Sequence, residues 1–330
     1  MLTITKAPLR VSFVGGGTDY PHYYREFPGA VHGTSINKFI YIITLPMVGY
    51  AETKYRITYR TVEAVDHISE IKHKVIRATL EQSGYDEPLN IAIISDLPGN
   101  SGLGSSSSFT VGFTKLVQHL RGRRMTKFEL FKEAVRIELD ILGENVGIQD
   151  HAHATFGGLN YYSFYKDDFS ISPTRMRTDC RDALNESLCL VFSQVQRSAS
   201  EILEEQIKNT TQRKIDRELT RLAELCKEGV SILEGTNPAV ILRDFGALLS
   251  EGWETKRKLS NAISTPQIDA IYDAGMKMGA YGGKLCGAGG GGFLLFLAPP
   301  ECQARMKEVF GPKNFVKIEM EDDGTTISQR

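Results

Sequence analysis

Eleven residues in the first third of the chain, Pro98 to Ser108 (PGNSGLGSSSS), constrain its fold more than any other stretch. They place three glycines and four consecutive serines between an apolar run, Ile91 to Ile94, and a segment in which Phe109, Val111, Phe113, Leu116, Val117 and Leu120 recur at helical spacing. The pattern predicts a buried strand, a turn that cannot continue it, and a helix. Such a helix opens with unbonded backbone N–H groups and the positive end of its dipole directed at the loop, where an anion is the natural occupant. Gly99, Gly102 and Gly104 allow the backbone to approach phosphate oxygens closely, while serine hydroxyls can cap the helix or ligate a magnesium ion. A polar turn with a multi-serine cap accounts for the same residues without a ligand, so the loop alone does not decide.

Three familiar chemistries fail on spacing. A Walker A loop ends in Gly-Lys-Ser/Thr, and here Gly104 is followed by Ser105. A Gly-x-Ser-x-Gly nucleophile elbow has Gly99 before Ser101 but Leu103 after it. Gly287, Gly289 and Gly292 in KLCGAGGGGF satisfy G-x-G-x-x-G formally, yet they follow a helical segment (Ile268 to Ala280) and precede a short apolar strand (Phe293 to Leu297), the reverse of a dinucleotide site. What remains is a loop bare enough to admit something bulky. A third glycine-rich segment, KAPLRVSFVGGGTDY, is a strand of alternating character that ends in Gly15-Gly16-Gly17 and Thr18-Asp19.

Together these segments resemble the three motifs of the GHMP kinases, small-molecule kinases named for galactokinase, homoserine kinase, mevalonate kinase and phosphomevalonate kinase. PGNSGLGSSSS is similar to the family's P-x-x-x-G-L-G-S-S-[AS] ATP loop, the motif order agrees, and the resemblance spans essentially the whole chain. TKAPLRVSFVGGGTDY and YGGKLCGAGGGGFLLF look most like the sugar 1-kinases that act on D-glycero-D-manno-heptose 7-phosphate. The resemblance implies an α+β, two-lobed fold. Residues 1–180 would form an ATP-binding lobe with a left-handed βαβ element and residues 181–330 a second lobe. ATP and Mg2+ are the implied cofactors and a small-molecule phosphosugar the implied partner. A fucokinase-like sugar 1-kinase, or a non-catalytic metabolite-binding scaffold, stays open beside it.

The resemblance also implies a site. Pro98, Gly99, Asn100, Ser101, Gly102, Leu103, Gly104, Ser105, Ser106 and Ser107 would bind the nucleotide. Asp150, in GIQDHAHATFGG, is the implied general base; on the residues alone it suits a cleft between Gly147 and Gly157-Gly158, or the cap of a following helix. Glu138, in a helical run from Phe128 to Leu142, matches the family's magnesium glutamate, although periodicity by itself favours a solvated carboxylate. Ser107, or Ser106 beside it, would supply a hydroxyl to the metal. Arg10 would orient Asp150 and offset developing charge. Asp19 would take sugar hydroxyls beside Gly16 and Gly17, which stand where galactokinase carries a Glu-His pair and so argue against galactose. Gly289 and Gly290 are placed on the substrate side. Arg197, in QRSASEIL, is the candidate for the substrate's own phosphate. Lys6 has a counterpart in mevalonate kinase, but a strand-edge lysine reaching to solvent explains it equally.

Composition narrows the partners. A net charge of −1 gives no basic field for nucleic acid, and the basic run Arg121 to Lys127 reads as complement to a helix C-terminus. Five cysteines without C-x-x-C spacing indicate neither disulfides nor a zinc ribbon, and His151 and His153, read as loop residues, lack a third ligand. No apolar run approaches the roughly 20 residues that span a bilayer, so the expectation is a cytoplasmic enzyme, with a homodimer left open. Strands are expected at Thr3 to Val14, Phe39 to Leu45, Tyr55 to Arg60, Asn90 to Ser95, Gly158 to Phe164, Leu188 to Ser193 and Val316 to Met320. Helices are expected at His67 to Gln82, at Glu301 to Phe310 and across Ser198 to Ala280, with a break at Gly235 to Pro238.

Overall fold

The computed structural model of the chain describes residues 1–47, 52–195 and 199–330. In chain order the first half comprises β1 (Thr3–Val14), α1 (Pro21–Tyr24), β2 (Gly29–Pro46), β3 (Tyr55–Thr58), β4 (Val62–Val65), α2 (Lys74–Ser83), β5 (Leu89–Ser95), α3 (Ser105–Leu120) and α4 (Lys127–Arg136). A π-helical turn, Ile137–Ile141, extends α4, and α5 (Gln149–Phe156), β6 (Leu159–Tyr165) and β7 (Asp168–Pro173) follow. The second half comprises α6 (Thr178–Ser187), β8 (Leu188–Phe192), α7 (Ala199–Thr211), α8 (Asp216–Leu233), α9 (Pro238–Lys256), α10 (Pro266–Lys277), β9 (Gly282–Leu285), β10 (Phe293–Leu297), α11 (Pro300–Phe310), β11 (Phe315–Lys317) and β12 (Thr326–Gln329).

Two sheets carry the architecture. One has eight strands in the order β12-β1-β2-β5-β3-β4, with β6 on the free edge of the first part of β2 and β7 beside β6. The other is an antiparallel set, β11-β8-β10-β9. Among the described strands the single parallel pair is β3 with β5, joined by a crossover through β4 and α2. Helices α3 and α5 pack on β1, as do α8 and α9, so Ala7 to Val14 are buried on both faces rather than alternating. One apolar core runs from Val11, Ile42 and Phe113 through Phe245 and Trp253 to Leu294 and Phe296. The boundary expected near residue 180 falls inside α6, and β12 returns to pair with the start of β1.

Local chemistry sets the helix ends. Asn237 accepts from the N–H groups of Ala239 and Val240, with Pro238 in the first turn, so the expected break is the start of α9. Thr126 and Glu129 form a reciprocal capping box on α4. The helix expected from His67 starts only at Lys74, after a 3-10 turn at Ile68–Glu70. Strands β4, β7, β9 and β12 and helix α6 were not foreseen from the sequence.

Candidate active site

The site is assembled where β1 leaves its neighbour. Strand β12 pairs with β1 only from Thr3 to Lys6, which leaves the N–H of Arg10 free to reach the carbonyl of Leu103 in the glycine loop at 3.1 Å. The Arg10 guanidinium completes the attachment: Nη1 donates to the Gly102 carbonyl at 2.7 Å. Its other two donors grip Asp150, Nε to Oδ1 at 2.7 Å and Nη2 to Oδ2 at 2.9 Å. This is a two-point pair that fixes the plane of the carboxylate. Asp150 lies in the first turn of α5 rather than in a loop, and it does not cap that helix, whose N-cap is Ile148. Its side chain is 21% exposed and that of Arg10 only 6%, so the carboxylate is the reachable end of the pair.

The loop itself has a buried half and an open half. Ser101, Leu103 and Ser107 are buried, whereas Pro98, Gly99, Asn100 and Ser106 are exposed. The N-cap of α3 is Gly104, at φ +76°, and no side chain caps the helix, contrary to the serine cap considered from sequence. The first N–H groups therefore remain available to an anion. A Cβ at Gly104 would lie 3.2 Å from the Asp150 carboxylate and from Arg10 Cγ, so the loop and the acid–base pair are in direct contact.

Glu138 occupies the far side of α3. It is 2% exposed and sits in the π-helical turn, not on a solvated helix face. Ser107 Oγ donates to its Oε2 at 2.9 Å, Thr110 Oγ1 donates to Oε1, and His151 Nε2 lies 3.0 Å from Oε2, off the line of a good hydrogen bond. Burial pushes the Glu138 carboxyl upward, but His151 and these hydroxyl donors outweigh it and hold the group below its ordinary range. Between the two neighbouring serines, geometry brings Ser107 to Glu138. His151 and His153 belong to α5: His153 Nδ1 donates to the Gln149 carbonyl at 2.8 Å, and burial lowers its pKa to about 4.

Asp19 is fully buried on the opposite side of Asp150. It accepts from the N–H of Gly17 at 3.0 Å and of Gln149 at 3.3 Å, and its pKa is raised, chiefly by burial. A Cβ at Gly147 would fall 2.0 Å from Asp19 Oδ2, which explains the glycine three residues before Asp150. Lys6 is half exposed, over the Phe39 ring at 3.6 Å and 4.0 Å from Glu321, the strand-edge arrangement.

The third glycine run is packed against protein. A Cβ on Gly287 would meet Gly102 Cα at 2.5 Å, and one on Gly292 would meet the Ser101 carbonyl at 2.4 Å. Gly289 backs on Ile263, and the N–H of Gly290 donates to the Ile263 carbonyl at 2.9 Å. The bulky neighbour this run admits is thus backbone of the same chain. Two buried lysines, overlooked in the sequence, border it: Lys256 Nζ donates to the Gly287 carbonyl and Lys284 Nζ to the Ser12 carbonyl, each at 2.6 Å. A lysine at the end of an amphipathic helix reads as a solvated charge; the one available signal was GGKL, a lysine inside a short run between apolar strands. Arg197 lies outside the described residues.

Two sequence profiles match this chain, GHMP kinases N terminal domain over residues 70–158 and GHMP kinases C terminal over residues 240–316, together half of its length. The chain belongs to the GHMP kinases. It is accordingly an ATP-using small-molecule kinase with a mixed α+β fold. Among curated GHMP relatives, a D-glycero-alpha-D-manno-heptose 7-phosphate kinase of Campylobacter jejuni is 28% identical, covering 90% of this chain and 89% of that one. Among solved structures, a D-glycero-D-manno-heptose 1-phosphate kinase from Bacteroides thetaiotaomicron superposes with a TM-score of 0.76 at 23% identity over 99% of both chains. Lactococcus lactis galactokinase complexed with galactose does so with a TM-score of 0.75 at 17% identity over 98% of this chain and 95% of that one. No described helix is long and apolar enough to cross a membrane.

Proposed function

We propose that this GHMP kinase transfers the γ-phosphoryl group of ATP to the anomeric hydroxyl of D-glycero-D-manno-heptose 7-phosphate, giving the 1,7-bisphosphate. The observation that carries the chemistry is the two-point Arg10–Asp150 pair in contact with Gly104; the relative from Campylobacter jejuni supports the sugar. Asp150 accepts the hydroxyl proton as the acceptor oxygen bonds to the γ-phosphorus and the bond from that phosphorus to ADP breaks. The carboxylate retains lone pairs beyond those given to Arg10, so it can take that proton while its orientation is held. Arg10 then keeps the charge of the site balanced. Pro98 to Ser107 bind the nucleotide, with the open start of α3 receiving phosphate, and Asp19 with Gly16 and Gly17 face the sugar.

The metal assignment fits the donor chemistry. Among the described residues no three His, Cys, Asp or Glu side chains are grouped to hold an ion by themselves. Mg2+ is typically held by one or two carboxylates with phosphate oxygens and water, which matches Glu138 and Ser107 beside the nucleotide loop. The ion would neutralise charge on the β- and γ-phosphates. Arg197 is retained for the terminal phosphate of the sugar on its sequence position. The test is phosphorylation of heptoses and hexoses, with and without a terminal phosphate, by purified protein with ATP and Mg2+, the product position being read by phosphorus NMR. Turnover of a different sugar in preference to the heptose phosphate overturns the assignment.

A further inference from the structure

We propose that Lys256 is a further catalytic residue, its ammonium group holding the transferring phosphoryl group between the glycine loop and Asp150. This deepens the kinase reading above and rests on it.

The placement is a closed ring of contacts. Lys256 Nζ donates to the Gly287 carbonyl; Gly287 backs on Gly102; the Gly102 carbonyl holds Arg10; and Arg10 holds Asp150. A phosphoryl group passing from the glycine loop to an oxygen at Asp150 crosses this ring, whereas the phosphate at the far end of a seven-carbon acceptor does not. The ring encloses an unfilled recess. A Cβ at Gly16 would lie 3.6 Å from Lys256 Nζ, 3.5 Å from Gln149 Nε2 and 3.8 Å from Ser12 Oγ, so the missing side chain leaves space edged by polar groups. Gln149 Oε1, also buried, has no hydrogen-bond partner among the described residues, as expected of a group that awaits a ligand.

Charge decides the kind of ligand. Arg10, Lys256 and Lys284 are all buried around the carboxylates Asp19 and Asp150. Arg10 is matched by Asp150, but no carboxylate lies within ion-pair distance of either lysine among the described residues. Buried positive charge without a partner is costly, and an anion bound in the recess removes that cost. Burial lowers Lys256 to about 8 with Arg10 adding to the effect, and burial lowers Lys284 to about 7 with Lys256 adding to it, so at neutral pH Lys256 is the one that stays charged.

The experiment needs no acceptor. Affinities of wild type and Lys256→Met for ADP and for the non-hydrolysable ATP analogue AMP-PNP, each with Mg2+, are measured by isothermal titration calorimetry. ADP affinity should stay within about twofold, while the advantage of AMP-PNP over ADP should shrink by roughly tenfold or more, the scale of one charge-assisted hydrogen bond. Lys256→Ala should show the same loss and recover the advantage when ethylammonium is added, which a merely misfolded protein would not do. An unchanged ratio in both variants, or equal weakening of both nucleotides without rescue, overturns the proposal. If only the sugar assignment is mistaken, the nucleotide ratios still respond as described while heptose 7-phosphate elicits no ADP release. A wild type that binds neither nucleotide sinks the kinase reading and this proposal together.

Discussion

At Gly104 the space that a side chain would take is bounded by Arg10 and the Asp150 carboxylate at 3.2 Å; at Gly287 it is already filled by Gly102 Cα at 2.5 Å. Both glycines have φ near +75°, and both lie in runs that look alike in the sequence. The first run turns its glycine toward flexible side chains and an open helix end, so its glycine protects chemistry. The second interlocks with backbone, so its glycines protect the seam where the eight-stranded and four-stranded sheets meet. Glycine content therefore marks close approach, and only the neighbour says whether function or folding requires it.

Predictions follow that contrast. The largest effect is expected at the reacting carboxylate: Asp150→Asn keeps size and one acceptor for Arg10 but removes the base, so kcat should fall on the order of 10²-fold or more. Calorimetry should find ADP binding nearly unchanged, and wild-type turnover would reassign Asp150 to a supporting role. Gly287→Ala comes next, as a folding effect. A methyl group cannot share space with Gly102 Cα, and a loss of about 3 kcal/mol or more is expected, read as a drop in Tm without selective loss of kcat in the folded fraction. Should Gly287→Ala instead be as stable as wild type, the seam is more yielding than the geometry implies.

A matched pair sharpens the contrast. Gly104 and Gly122 have φ of +76° and +71°, but Gly122 has nothing within 4 Å of its missing Cβ. Alanine at either position should cost about 1–2 kcal/mol of backbone strain. Only Gly104→Ala should also weaken ATP binding and turnover, by roughly tenfold. Equal kinetic losses at both would remove the glycine loop from the site.

The smallest effect is one of pH. The folded value of Lys284, about 7, lies below the ordinary lysine value because burial and then Lys256 disfavour its charge. Above pH 7 the unfolded chain therefore binds more protons than the folded one, and stability rises with pH until the unfolded lysine also titrates. Wild type should gain about 1 kcal/mol on Lys284→Met between pH 7 and 8 in denaturant titrations. A flat difference would mean that Lys284 is charged and solvated.

The parts legible in the sequence are those written in strong local signals. The strand–loop–helix through Ile91, Gly104 and Phe113, the length of β1 and the start of α9 at Asn237-Pro238 all follow from turn chemistry and apolar period. Strand β12 was not legible, because Thr326–Gln329 is short and largely polar and gains its identity only by pairing with Thr3 to Lys6. Family resemblance supplied Arg10, Asp19, Glu138 and Asp150, and the structure brings Arg10 to Asp150 and Ser107 to Glu138. Burial of Glu138 depends on Thr110 and His151 from two other helices, which no local period reveals. The same holds for Lys256, whose partner is 31 residues away in a loop.

The π-helical turn that carries Glu138 closes with the N–H of Leu142 donating to the carbonyl of Ile137 at 3.0 Å. A π turn holds one residue more than an α turn. Deleting a single residue there, Asp140 for instance, would let the helix heal into regular α geometry while rotating everything beyond it by about 100°. Short insertions and deletions, usually harmless at the end of a helix, would at this point swing Glu138 off Ser107 and re-aim the segment that delivers Asp150. The bearing of both carboxylates is set by a count of residues, which makes this turn intolerant of length change even where it tolerates substitution.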